Sequence, residues 1–201
     1  MINLNVVCGS VCADKIKINK NELAKRLKAD RGFEHVAVDL CIEEFNKAVN
    51  YRYAYVAVPV EFAGENVCNL GFGNIQSANL YNVLKGCKTA IILAVTTGID
   101  VDRLLSKYSV TSASKHFIGD AVGSAAAESL CDYVDDLLRK NPNKPHRFSP
   151  GYGDLKLEIQ PELLNMLNAS KNLGIAINKS FLMTPVKTIT AIMGVCDEQN
   201  T

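Results

Sequence analysis

R-F-S-P-G-Y-G-D, Arg147 to Asp154, sets an arginine, a proline, two glycines and a tyrosine side by side in the second half of the chain. Pro150 presets φ near about −65° and Gly151 permits positive φ, a turn that brings Arg147 and Tyr152 close together. Arginine supplies a planar fork suited to a carboxylate or to backbone carbonyls. Tyrosine supplies a hydroxyl and a flat face that attracts a cation such as a sulfonium or an ammonium. The glycines expose backbone N–H and C=O groups able to read an adenine edge. The residues fit two descriptions, a turn that binds a zwitterionic or nucleoside ligand and a purely structural loop.

Immediately upstream, Asn141-Pro-Asn-Lys-Pro145 is a breaker, and before it the longest periodic stretch predicts a helix from about Ser112 to Lys140. Along that helix Gly119, Gly123 and Ala127 fall at i, i+4, i+8, a stripe of small residues that lets another backbone or a ligand approach closely. Each mid-helix glycine costs about 1 kcal/mol relative to alanine, which a close approach would offset. Glu128 shares a stripe with Phe117, Ala121 and Ser124. It reads either as a solvated helix glutamate or as a carboxylate with room for a ligand beside it.

Further out, helices are expected from Asn21 to before Gly32, from Val36 to Val49 and between Ser77 and Leu84. Tyr51 to Val60 alternates, with Tyr51, Tyr53 and Tyr55 on one side and Arg52, Ala54, Val56 and Val58 on the other, a strand with two differing faces. Thr89 to Val95 reads as a buried strand, followed by a short helix capped by Asp100 through Val101, Leu104 and Leu105. Pro161 to Ala169 reads as a helix ended by Gly174, and Ile175 to Ile177 and Ile189 to Val195 as final strands, with a polar tail from Asp197. This order predicts a mixed α+β fold with a mainly antiparallel sheet and flanking helices. A doubly wound parallel sheet lacks support, because the regular alternation and a G-x-G-x-x-G turn are missing.

The chain of 201 residues is long enough for a sizeable core, and 48% hydrophobic with 21% charged residues suits a globular protein. A net charge of +1 and the lack of any basic run give no pull toward nucleic acid or an anionic membrane. Neither a signal peptide nor a membrane-spanning run is visible, so a cytoplasmic location is expected. Cysteines at 8, 12, 41, 68, 87, 131 and 196 show no C-x-x-C pair, and all are expected to be reduced thiols rather than ligands of a metal or cluster.

R-F-S-P-G-Y resembles the Arg-x-x-x-Gly-Tyr signature of the activation (reactivation) domain of cobalamin-dependent methionine synthase, where it reads Arg-Pro-Ala-Pro-Gly-Tyr. Ala127 to Lys140, A-E-S-L-C-D-Y-V-D-D-L-L-R-K, is similar to the long helix before that motif, with Glu128 at the position of its ligand-binding glutamate. Lys179 to Pro185, K-S-F-L-M-T-P, is similar to the family's E-S-F-A-M-x-P segment. The three pieces keep their order, and the N-terminal half matches loosely the short stand-alone relatives of the domain. The whole chain, 1–201, is then one activation-domain-like unit, with a helical N-terminal part over about 1–50 and the site half over about 88–196.

The resemblance implies binding of S-adenosylmethionine for reductive methylation of cob(II)alamin, a repair step in methionine biosynthesis. A flavodoxin- or ferredoxin-like donor supplies one electron. Arg147 would grip the methionine carboxylate and Glu128 the ammonium, while Ser149, Gly151 and Tyr152 would face the adenosine. No residue is expected to act as a catalytic nucleophile. Two departures stand out: Gly153-Asp154-Leu155-Lys156 replaces the family's Pro-Ala-Cys-Pro, and Thr188 to Val195 lacks the aromatic residues of the family's last segment. The family's N-terminal acidic ligand is not placed, with Asp14 and Glu61 as candidates. For a corrinoid of its own the chain offers only S-K-H-F-I-G, Ser114 to Gly119, where serine replaces the aspartate that should orient the histidine; His116 reads as an ordinary helix residue. Cobalamin is therefore expected on a partner, a methionine synthase core or another corrinoid protein. Two other readings remain, a non-catalytic docking or chaperone protein for corrinoid enzymes and a binder of another nucleoside or amino acid.

Overall fold

The computed structural model describes residues 5–28, 36–138 and 147–195. Its strands are β1 (Val7–Val11), β2 (Tyr51–Pro59), β3 (Glu61–Gly64), β4 (Val67–Asn69), β5 (Asn74–Gln76), β6 (Thr89–Thr96), β7 (Ala176–Ile177), β8 (Met183–Thr184) and β9 (Thr188–Val195). The helices are α1 (Lys20–Leu27), α2 (Val36–Ala48), α3 (Ala78–Leu84), α4 (Ile99–Thr111), α5 (Ala113–Leu138), α6 (Gln160–Met166) and α7 (Ala169–Leu173). The central sheet runs β1-β2-β6-β9, and β3-β4-β5 and β7-β8 form two smaller sheets. Every pairing is antiparallel, so the expected α+β class with a mainly antiparallel sheet is the one observed.

The alternation in the sequence decides which core each residue joins. Tyr51, Tyr53 and Tyr55 of β2 turn toward one face of the sheet with Ile91, Leu93 and Val95 of β6, under α1, α2, α4 and α5. Ala54, Val56 and Val58 turn to the other face with Ala90, Ile92 and Ala94, under α3, α6, α7 and the small β3-β4-β5 sheet. A sheet covered on both faces must be apolar on both, which is why β6 is buried from Ala90 onward. Helix α5 anchors the first layer, packing on α1, α2, α4, β6 and β9.

Several expectations shift. The segment before α1 was expected to be helical, yet it carries β1, an edge strand paired to β2 from Val7↔Tyr55 to Val11↔Tyr51. α4 begins at Ile99 behind Gly98, and the Asp100 carboxylate is bound by Arg103 rather than capping the helix. The helix expected over Pro161 to Ala169 is two short ones, because Asn168 adopts a left-handed conformation between α6 and α7. Gly32, the Asn141–Pro145 breaker, Lys140 and the polar tail lie outside the described residues.

The cysteines depart from the expectation of thiols throughout. Cys8, Cys12, Cys41, Cys68 and Cys131 are free, whereas Cys87 is disulfide-bonded. Cys87 sits in the turn between α3 and β6, its sulfur packed beside Gly194 at the end of β9. Among the described residues no helix is long and apolar enough to cross a membrane.

Candidate functional site

Helix α5 carries Asp120, Ser124, Glu128, Asp132 and Asp135 at spacings of four, four, four and three, so they fall along one side of the helix. Two cations from distant parts of the chain meet that stripe. Lys187 donates from Nζ to Asp120 Oδ1 at 2.7 Å and to Ser124 Oγ at 2.8 Å. Arg147 donates from Nη2 to Glu128 Oε2 at 3.0 Å and from Nη1 to Asp132 Oδ1 at 2.7 Å, with Asp135 Oδ2 at 3.5 Å. The Arg147 side chain is 14% exposed and that of Asp135 only 1%. Burial works against the guanidinium charge; the neighbouring Cys131 sulfur and the bonded Asp132 and Glu128 more than offset it, and the pKa is raised. Burial pushes the Cys131 thiol up to about 12, with Arg147 pulling the other way.

The position of Arg147 is set by its neighbour. Phe148 and Ile192 of β9 exchange backbone N–H···O bonds, both at 2.8 Å, which extends the sheet edge by one bridge. Phe148 joins Ile192 in the second core layer. By the pleat, Arg147 points to the opposite face, where α5 lies. The turn follows at once: Tyr152 N–H donates to the Ser149 carbonyl at 3.3 Å, and Gly151 has φ of 87°, the pattern of a type II Pro-Gly turn. Gly151 N–H then donates to the Leu155 carbonyl at 2.8 Å, closing the loop.

A cavity of about 560 Å³ opens between this loop and α5. Glu128, Asp132, Arg147, Ser149 and Tyr152 line it, Thr188, Ile189 and Thr190 of β9 form another wall, and Gln160 and Met183 complete it. Four of the five residues singled out in the sequence thus share one cavity. Gly151 shapes the loop without lining the space. Tyr152 is 65% exposed and stands at the mouth. The K-S-F-L-M-T-P segment contributes Met183; it is held by Asn178 at one end, whose side-chain oxygen accepts from Ser180 and Leu182 N–H groups. At the other end Val186 N–H donates to both oxygens of Asp102, a carboxyl whose pKa is raised by burial against the pull of that bond.

The small-residue stripe has a different use from the ligand approach it allowed. A Cβ on Gly119 would lie 3.0 Å from the Tyr108 ring and one on Gly123 3.2 Å from the Lys187 side chain, so the gaps are filled by protein. His116 sits in α5 with Nδ1 3.1 Å from the Leu105 carbonyl oxygen. The Gly153-Asp154 departure also has a structural role: Asp154 ties the loop to the start of α3, and a Cβ on Gly153 would come within 2.1 Å of Asn79 Nδ2. Asp132 and Asp135 escaped the sequence reading, although their spacing of four and seven from Glu128 was visible.

In sequence the chain matches no family model and no curated protein. In structure it is similar to the crystal structure of the MetH reactivation domain bound to AdoHcy, with a TM-score of 0.74 and 14% identity over 100% of this chain and 81% of that one. At that identity the likeness is one of fold: the chain has the mixed helix and antiparallel-sheet architecture of that reactivation domain.

Proposed function

We propose that this chain is an activation module that binds S-adenosylmethionine in the cavity between α5 and the Arg147–Tyr152 loop. The observation that carries this reading is the meeting of Arg147 and Glu128 at that cavity, in a fold shared with a domain whose solved structure holds S-adenosylhomocysteine. The volume, about 560 Å³, falls within the roughly 300–1,000 Å³ usual for small-molecule sites. A zwitterionic amino acid needs a cation and an anion, and Arg147 with Glu128 offers both. Glu128 and Asp132 take the ammonium, the guanidinium faces the carboxylate, and Ser149 and Tyr152 flank the nucleoside.

The bound compound would supply a methyl group to a corrinoid carried by a partner, a methionine synthase core or a related protein, with one electron from a flavodoxin- or ferredoxin-like donor. This chain contributes proximity: it holds the methyl donor at a fixed place and makes a bimolecular step effectively intramolecular. Glu128 holds charge and removes no proton, since methyl transfer to a metal needs no general base. The test mixes this protein, a cobalamin-loaded methionine synthase core, a reductant and S-adenosylmethionine; methylcobalamin should form only with all four. Equal reactivation without this protein would overturn the reading. A docking or chaperone role for corrinoid enzymes is the second reading, favoured by one observation: Arg147 already has carboxylate partners on α5. Calorimetric titration with S-adenosylmethionine separates the two, because only the first requires binding.

A further inference from the structure

The charges at the cavity do not balance among the described residues. Among the described residues its wall holds two carboxylates, Glu128 and Asp132, against one guanidinium, Arg147. A third carboxylate, Asp135, draws on the same guanidinium from behind. Lys187 lies one helical turn away and is matched by Asp120, so it adds no net positive charge. Arg147 spends one terminal nitrogen on Asp132 and Asp135 and the other on Glu128. Among the described residues the wall therefore presents an excess of one negative charge, with Tyr152 offering an exposed ring beside it.

We propose that the cavity selects its ligand by net charge, preferring a sulfonium or other cationic nucleoside–amino acid over its neutral thioether, with Asp132 as the residue that sets the preference. This rests on the proposed S-adenosylmethionine site. S-adenosylmethionine carries a carboxylate, an ammonium and a sulfonium, a net of one positive charge; S-adenosylhomocysteine has lost the sulfonium and is neutral overall. The first complements the wall and the second does not. Loss of the methyl group thus weakens the hold on what remains, and the spent compound leaves in favour of a fresh donor. Asp132 is the better discriminator than Glu128 because, of the two carboxylates lining the cavity, its side chain is the more exposed, 56% against 35%, whereas Asp135 is enclosed.

The experiment is calorimetric titration of the full chain with S-adenosylmethionine, S-adenosylhomocysteine and sinefungin, which carries an ammonium in place of the methylsulfonium. At low ionic strength the two cationic ligands should bind about tenfold tighter than the thioether, and added salt should shrink the ratio. Asp132→Asn keeps the shape and an acceptor for Arg147 while removing the charge, so it should bring the ratio close to one. Circular dichroism confirms that the variant is folded, and Glu128→Gln provides a second charge-removing variant. Equal affinities for all three ligands, or a ratio untouched by both substitutions, overturn the charge selection and leave the site standing. Failure of all three ligands to bind overturns the site and the selection together.

Discussion

The Asp154 carboxylate accepts a 2.5 Å hydrogen bond from Ser77 Oγ, across 77 positions of sequence, and further bonds from the Ala78 and Asn79 N–H groups at 2.6 and 3.3 Å. The loop that carries Arg147 is thereby pinned to the first turn of α3, whose own cap is Ser77. The Ser77 bond foremost, with the two backbone N–H groups, holds the Asp154 pKa below the usual carboxylate value. A depressed folded pKa contributes stability at pH values above the unfolded pKa of about 3.9, and the contribution is lost as pH falls through the lower folded value. Asp154→Asn should therefore lower Tm at neutral pH and converge with the wild type in acid. A Tm difference that stays constant between neutral and strongly acid pH would contradict this.

Arg147→Ala should cost at least about tenfold in S-adenosylmethionine affinity, the loss of a charge-assisted contact. It should also cost stability, on the order of 3 kcal/mol, because a largely buried guanidinium that pairs Glu128, Asp132 and Asp135 is removed. Arg147→Met combined with Asp135→Asn should recover much of the stability and none of the binding. Chemical denaturation and calorimetry on the same samples read the two effects apart.

Gly119 and Gly123 make different predictions. Alanine gains up to about 1 kcal/mol of helix propensity at either site. At Gly119 the new methyl meets the rigid Tyr108 ring at 3.0 Å and Leu105 at 3.1 Å, and Tyr108 is itself tied to Glu44 by a 2.7 Å bond. Overpacking there should win, with net destabilisation of about 1–2 kcal/mol. At Gly123 the neighbour is the stem of Lys187 at 3.2 Å, a milder approach to an unbranched chain, so crowding and helix propensity offset one another and Gly123→Ala should be close to neutral. Urea midpoints in the reverse order would refute the packing argument.

Thiol labelling checks the burial pattern. Cys8 and Cys12 are exposed, whereas Cys41, Cys68 and Cys131 are buried. Burial raises the Cys41 pKa and pushes Cys68 up to about 11, so these thiols hold little thiolate near neutrality. Iodoacetamide should modify Cys8 and Cys12 in the native protein and reach the buried three only after denaturation, as peptide mass spectrometry would show. Rapid native modification of Cys131 would mean that α5 and the Arg147 loop separate readily.

Elements with a strong period were legible and those without one were not. Tyr51 to Pro59 announced both its faces because its alternating side chains differ in kind, and the two sets enter two different cores. β1 and β3 are short, exposed for much of their length and lack apolar alternation, so pairing alone defines them. The break at Asn168 was hidden because asparagine reaches the left-handed region without glycine's signature. At the site, Arg147, Ser149 and Tyr152 could be grouped from turn chemistry, being neighbours in sequence. Gln160, Met183 and Thr188 to Thr190 reach the same cavity through the packing of α6, β8 and β9. Asp132 and Asp135 became partners of Arg147 only once the bridge to β9 fixed how far the loop stands from α5.

The Phe148–Ile192 bridge imposes a parity on this part of the chain. Two adjacent residues serve opposite sides of one sheet edge, Phe148 filling the apolar layer and Arg147 answering the acidic helix. Inserting a single residue between them would put the arginine on the phenylalanine's side and leave Glu128, Asp132 and Asp135 to repel one another. Length changes along the lineage of this protein should therefore fall elsewhere, and the Arg-Phe step should be inherited as an indivisible pair.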